Sequence, residues 1–401
     1  MGESTLFQAI QWNALLLFGG LLLFGLIAGH VVSKSPWIPR LTGYLIVGFI
    51  LGEGGLGWLS GDVLKLTNIF ADIAVALVVY QLGRYVDIGW LRREKWLLAT
   101  VMTSAVLCFG LVSTALHWFG TSLAASLLGG VLAIATAPAV VFVVLRDLKA
   151  EGQVTRRLAA MTALNNFVAI VVAYALLPVI LHDNDTPVLS QIGSVLYSLG
   201  GSLLLAYLTY WLMIPLARWL GRRGSSQFVL VIAVILVAIG AAHAFQLPVM
   251  LTMLIFAILS KNLDRQYDLM ELEFGIANEL FIVMLFVAVG ATMQLSDLQL
   301  VGFSVLVLIA ARFVAMGGGV FIYARLARMN WRQASLLTLG TLPMTEAGLG
   351  LMQTIKTLYP HTTVSSEIVP LLAGCLIVLE LLGPIATQFA LIKTGESGRE
   401  S

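Results

Sequence analysis

Charge is what this sequence has least of. Asp, Glu, Lys and Arg make up 11% of 401 residues, where a water-facing globular protein carries about a quarter. That scarcity excludes a soluble multidomain enzyme. A nucleic-acid binder is excluded as well, because 23 Lys+Arg against 21 Asp+Glu leave no basic excess. Cysteine is nearly missing: Cys108 and Cys375 both lie in apolar runs without ligand spacing. The histidines, His30, His117, His182, His243 and His361, are scattered, which argues against a resident metal site or a histidine relay. No nucleophile elbow or catalytic triad is present, and nothing requires a cofactor. The run Gly317-Gly318-Gly319 lacks the Lys-Ser/Thr of a phosphate loop and reads as a close-packing face. The segment Met1–Gln11 carries Glu3 and no basic residue, so the first apolar run reads as a retained helix, not a cleaved signal.

Apolar residues are abundant instead, at 59% of the chain with a mean hydropathy of +0.95. A spanning helix needs about 20 residues. Thirteen candidate spans fall near 12–32, 38–58, 67–85, 96–118, 123–145, 158–181, 189–220, 227–245, 247–260, 275–294, 299–324, 334–356 and 367–392. The seventh is long enough for a tilted linking helix, and Pro248 separates the eighth from the short ninth. With the N-terminus outside, the cytoplasmic loops and C-terminus hold every one of the 23 basic residues except Lys65, Arg312 and Lys356. The outer loops carry Asp62, Asp183, Asp185 and Asp297, so the arrangement obeys the positive-inside rule. No segment is polar enough for a second folded domain, and residues 1–401 read as one membrane transporter domain without a C-terminal regulatory domain.

Two pairs of segments suggest an internal repeat offset by seven spans. Val79–Leu91 and Val287–Leu298 each run from an apolar stretch through Gly to Asp and Leu. The fifth span holds Thr136-Ala137-Pro138 and the twelfth holds Pro343-Met344-Thr345-Glu346. An odd offset inverts the two copies. Pro removes an amide donor and breaks a helix, and interrupted spans at matching places in inverted halves point to a binding site at mid-membrane. A pair of kinked packing helices is the plainer alternative.

Three further features place polarity inside the membrane. Asn165-Asn166 sits in the middle of the sixth span, either as helix–helix glue or as the lining of a cavity. Arg312 lies deep in the eleventh span and needs a carboxylate, carbonyl dipoles or an anion beside it. Glu346 and Glu279 are the available acids, with Asp72 and Glu380 as additional ones. Glu279 also suits a plain helix-start acid.

The order and spacing of these pieces resemble the second monovalent cation:proton antiporter family, relatives of bacterial sodium/proton and potassium/proton exchangers. The likeness rests on Leu41-Thr42-Gly43-Tyr44 with Gly48, Leu82-Gly83 with Asp87, Thr136 with Pro138, Asn165-Asn166, Glu279 with Phe286–Gly290, Arg312 and Glu346. It implies an all-α polytopic membrane protein of about thirteen transmembrane helices, with inverted repeats and two crossing discontinuous helices. It further implies a homodimer in the lipid bilayer of the bacterial inner membrane, exchanging a monovalent cation for protons by alternating access. The ion-site positions would be Thr136, Ala137, Asn165 and Asn166, the helix breaks Pro138 and Pro343, and the core charges Arg312, Glu346, Glu279 and Asp72.

The resemblance departs at the acids. Active members usually carry Asp where this chain has Asn166, often Asp or Asn at Asn165, and in many cases Asp at Ala137. The position of Arg84 usually carries Glu. Amides and alanine do not titrate, so coupling must have moved to another acid if exchange persists. An anion or neutral-solute transporter, and a non-transporting sensor or partner subunit, remain as alternatives on the same fold.

Overall fold

The computed structural model describes residues 14–35, 37–52, 54–58, 62–180, 188–221, 224–264, 275–344 and 363–398. Among these, all regular structure is helical. The helices are α1 (Ala14–Val32), α2 (Arg40–Leu51), α3 (Asp62–Gly83), α4 (Ile88–Arg93), α5 (Lys95–Trp118), α6 (Leu123–Leu132), α7 (Pro138–Asp147) and α8 (Gln153–Ile180). There follow α9 (Val188–Leu220), α10 (Gly224–Ala244), α11 (Val249–Leu263), α12 (Gly275–Ala291), α13 (Leu295–Tyr323), α14 (Trp331–Gly340) and α15 (Thr363–Thr394). Six of them are long and apolar enough to cross a membrane, and six apolar stretches are shorter, among the described residues. The seventh expected span is one 33-residue helix, α9. The eighth and ninth are separate helices, with Pro248 as the N-cap of α11.

Local chemistry sets several helix ends. Asp87 accepts the amide of Trp90 and starts α4, and Asn330 with Gln333 forms a capping box at α14. The Asp of the first repeat motif is thus a cap. Its companion Gly83 lets α3 approach α11, where a Cβ would lie 2.6 Å from that of Ala257.

The chain divides into two compact units. The first contains α1, α2, the beginning of α3, and α12. Here α2 packs on α1 and α12, with backbone against backbone: a side chain at Gly48 would run into the carbonyl of Val287, and one at Gly290 into that of Leu45. Small residues at such crossings let membrane helices approach closely.

The second unit runs from Val75 to Phe274 and from Gln294 onward. Helix α13 packs along α5, with Gly319 against the backbone of Ser104, so the glycine run is a packing face as its sequence suggested. The core joins Cys108, Val112 and Leu116 of α5, Leu128 and Val131 of α6, Leu308 and Ala315 of α13, and Leu371, Cys375 and Leu379 of α15. Helix α15 packs on α6, α7, α8, α13 and α14. Glu367, near its start, accepts the amide of Ser122 ahead of α6 at 3.0 Å. Beyond its other end, Glu396 accepts the amides of Val154 and Thr155 at 2.9 and 2.7 Å, at the first turn of α8.

Candidate functional site at the helix breaks

The fifth span is interrupted as its Pro predicts. Helix α6 stops at Leu132, the chain is non-helical through Ala137, and α7 begins with Pro138 at its first position, where the absent amide costs nothing. Ala137 is in extended conformation and offers α7 no side-chain cap. In the twelfth span α14 ends at Gly340 and residues 341–344 leave the helical path. The break in the fifth span meets the stretch after α14: the amide of Ala137 donates to the carbonyl of Pro343 at 2.9 Å.

Arg312 ties them together. Its side chain, 1% exposed, donates from Nε to the carbonyl of Ala133 at 2.9 Å and from Nη1 to that of Leu342 at 2.6 Å. From Nη2 it reaches the carbonyls of Ala135, Thr341 and Pro343 at 2.8, 3.0 and 3.3 Å. Ala133 and Thr341 are the C-caps of α6 and α14, where the helix dipoles end negative, and Ala135, Leu342 and Pro343 lie in the non-helical stretches beyond them. Of the partners open to Arg312 in the sequence, carbonyl dipoles are the ones found among the described residues.

Asn165 and Asn166, on α8, stand beside the first interruption. Asn166 is 2% exposed, and its Nδ2 donates to the carbonyl of Thr136 and, at 2.8 Å, to that of Thr162. Both partners only accept, which fixes the amide's orientation and leaves Oδ1 facing away from them. Asn165 is fully buried; its Nδ2 donates to Thr136 Oγ1 at 3.2 Å and lies 4.0 Å from Met316 Sδ on α13. Both Oδ1 atoms are buried without a hydrogen-bond partner. A buried carbonyl oxygen left unsatisfied costs about 1–3 kcal/mol, and oxygen atoms of this kind are the donors hard cations take.

Thr136, Ala137, Pro138, Asn165, Asn166, Arg312 and Pro343 therefore gather in one place. Glu279 belongs to the first unit, where it accepts from Arg40 Nη1 at 3.0 Å and Tyr44 Oη at 3.3 Å. Glu346 and the side chain of Asp72 lie outside the described residues. Thr162, Met316 and the five carbonyls that serve Arg312 carry no mark in the sequence, since every residue has a carbonyl and only folding selects which ones converge. Among the described residues no cluster of His, Cys, Asp or Glu is suited to a metal ion.

Broken apolar helices joined at a buried polar point define a membrane transporter fold. Residues 17–393 match the family described as sodium/hydrogen exchanger, transmembrane, and the chain belongs to that family. It is 34% identical over 79 residues to a Na(+)/H(+) antiporter of Enterococcus hirae. That stretch is 19% of this chain and 20% of the relative, so the match spans about a fifth of the relative's length. Its fold is similar to the sodium proton antiporter MjNhaP1 from Methanocaldococcus jannaschii at pH 8, with TM-score 0.67 and 17% identity over 94% of this chain and 95% of that one. An electron-microscopy map of the same antiporter gives TM-score 0.71 and 16% identity, covering 96% and 99% of the two chains.

Proposed function

We propose that the protein exchanges a monovalent cation, sodium or potassium, for protons by alternating access. The observation that carries this reading is the pair of orphaned amide oxygens on Asn165 and Asn166 beside Thr136. Two neutral oxygens and a hydroxyl suit a dehydrated monovalent cation, and the two orphaned amide oxygens offer an anion no donor. Arg312, which would attract an anion, is turned onto backbone carbonyls through Nε and both terminal nitrogens. The family and the Enterococcus hirae relative support the same direction.

The proposal includes thirteen spans in inverted repeats, with the fifth and twelfth crossing as discontinuous helices. It places a homodimer in a bacterial inner membrane, N-terminus outside and C-terminus cytoplasmic, with residues 1–401 as one transporter domain. Ala137, Asn165 and Asn166 cannot carry the proton, so the coupling acid lies elsewhere; Glu346 and Asp72 are the sequence's candidates, while Glu279 is engaged by Arg40.

Purified protein in liposomes with an imposed pH gradient tests this. Sodium, potassium or lithium should dissipate the gradient and a panel of anions should not. Asn166→Leu should raise the half-saturating cation concentration by roughly tenfold or more, the equivalent of about 1.4 kcal/mol of lost binding. Dissipation by anions, or no flux of any solute, would refute the reading.

A further inference from the structure

Cation/proton exchange needs a group that binds a proton when the cation has left. The helix breaks carry no such group at Ala137, Asn165 or Asn166, and Arg312 stays protonated. One buried carboxyl has not yet been given a role. Glu380 lies at the middle of the apolar span Glu367–Thr394, roughly 20 Å of helix from either end, and is 1% exposed. A glutamate side chain cannot reach either membrane surface from there. Acids at that depth are rare, and they mark ion pathways and proton relays.

Its position on α15 connects it to the site. Gly383 sits three residues further along the same face, so close to the break that an added Cβ would lie 2.9 Å from Pro343 Cβ and 3.0 Å from its Cα. One turn beyond that, Thr387 Oγ1 donates to the carbonyl of Gly340 at 3.2 Å. The stripe Glu380–Gly383–Thr387 is therefore the face of α15 laid against the end of α14. Pro343, which Gly383 touches, accepts from both Ala137 and Arg312.

The other titratable groups on the elements around α15 are few. Helix α6 has none, and α7 has Arg146 and Asp147 in its last turn. Helix α8 has Arg156 and Arg157 near its start and Tyr174. Helix α13 has Asp297, Arg312 and Tyr323, and α14 has Arg332. On α15 itself stand Glu367, Cys375 and Lys393. Arg312 is the only one of these cations in the middle of its helix, and its charge is present in every state of the cycle.

We propose that Glu380 is the proton-carrying residue of the exchange, an inference that rests on the cation/proton reading above. With a cation at Asn165 and Asn166, Glu380 is ionised and balances it. When the cation leaves, Glu380 takes one proton from the side then open, carries it as the neutral acid, and releases it to the other side as the next cation binds. No other bond is made or broken.

The test uses the full chain in liposomes and two readouts: proton antiport driven by a sodium gradient, and isotopic sodium–sodium exchange at equal pH, between about pH 5 and 9. In the wild type, acid should suppress sodium–sodium exchange by competition. Glu380→Gln should abolish proton antiport and flatten the pH profile of whatever sodium–sodium exchange remains. Glu380→Asp should restore antiport with a displaced profile, which a purely structural role would not produce. A wild-type pH profile with full antiport in Glu380→Gln would overturn the inference. If Glu346→Gln or Asp72→Asn then lost both, the carrier would be that acid and the exchange reading would stand. Absence of proton-coupled flux in the wild type would remove both.

Discussion

Arg312 shows how one residue can hold a break open. Five carbonyls at 2.6–3.3 Å surround its guanidinium, drawn from the break in the fifth span and from the stretch after α14. An ammonium has three donors and no planar fork, so lysine can serve only part of this set. Arg312→Ala should destabilise the protein by several kcal/mol, because buried carbonyls lose their donor and each one left unsatisfied costs about 1–3 kcal/mol. Arg312→Lys should recover part of that loss, both read as detergent thermal-unfolding midpoints at matched ligand conditions. The sequence exposed Arg312 because a charge inside an apolar span is conspicuous. It could not name the partners, because backbone acceptors leave no mark in residue identity. Asn165 and Asn166 were visible for the same reason as Arg312; that their nitrogens are satisfied and their oxygens are not depends on where Thr136 and Thr162 come to lie.

At the level of elements, prolines made the interruptions readable. Pro138 opens α7, and Pro343 lies in the non-helical stretch after α14. Less readable was α15 as a brace, bonded through Glu367 to the loop before α6 and continued by Glu396 to the start of α8. The last contact joins residues 242 and 241 apart in sequence, and nothing in a short polar tail announces it. A carboxylate over a helix N-terminus satisfies amide donors and complements the dipole. Glu396→Ala should cost about 1 kcal/mol and accelerate amide exchange at Val154 and Thr155 before the middle of α8, as read by hydrogen–deuterium mass spectrometry. The repeat motifs were half read. Gly83 and Gly290 are both close-approach positions, against Ala257 and the carbonyl of Leu45, so the shared glycine serves packing in each segment. The second expected span, 38–58, proved shorter: α2 ends at Leu51, where the sequence turns to glycine.

For the whole molecule, composition settled the membrane setting, and the distribution of Lys and Arg argued for one orientation. The division into two compact units was not readable, because both are built from equally apolar helices, and the first is assembled from segments far apart in the chain. The proposed transport cycle has an electrical consequence. Arg312 keeps its charge throughout, and a cation beside ionised Glu380 leaves the same total charge as protonated Glu380 alone. Exchange should therefore be one for one and electroneutral. Sodium-driven proton flux should not change when a membrane potential is imposed, whereas a cycle moving one net charge would feel about 2.3 kcal/mol per 100 mV. Initial rates in liposomes under a potassium–valinomycin clamp would show the difference.

The clasp around Arg312 also bears on how the chain is made. Ala133 and Ala135 are synthesised well before Arg312, whereas Thr341, Leu342 and Pro343 follow it by 29, 30 and 31 residues. At about 5–20 residues per second, the second set of acceptors emerges roughly 2–6 s after the arginine. During that interval a charge that costs about 2.5–3.5 kcal/mol at a helix centre has only the earlier carbonyls to lean on. A ribosome stalled short of Thr341 would hold the nascent chain with two of the five carbonyls in its clasp, and the insertion machinery must shelter the eleventh span until the twelfth arrives to close it.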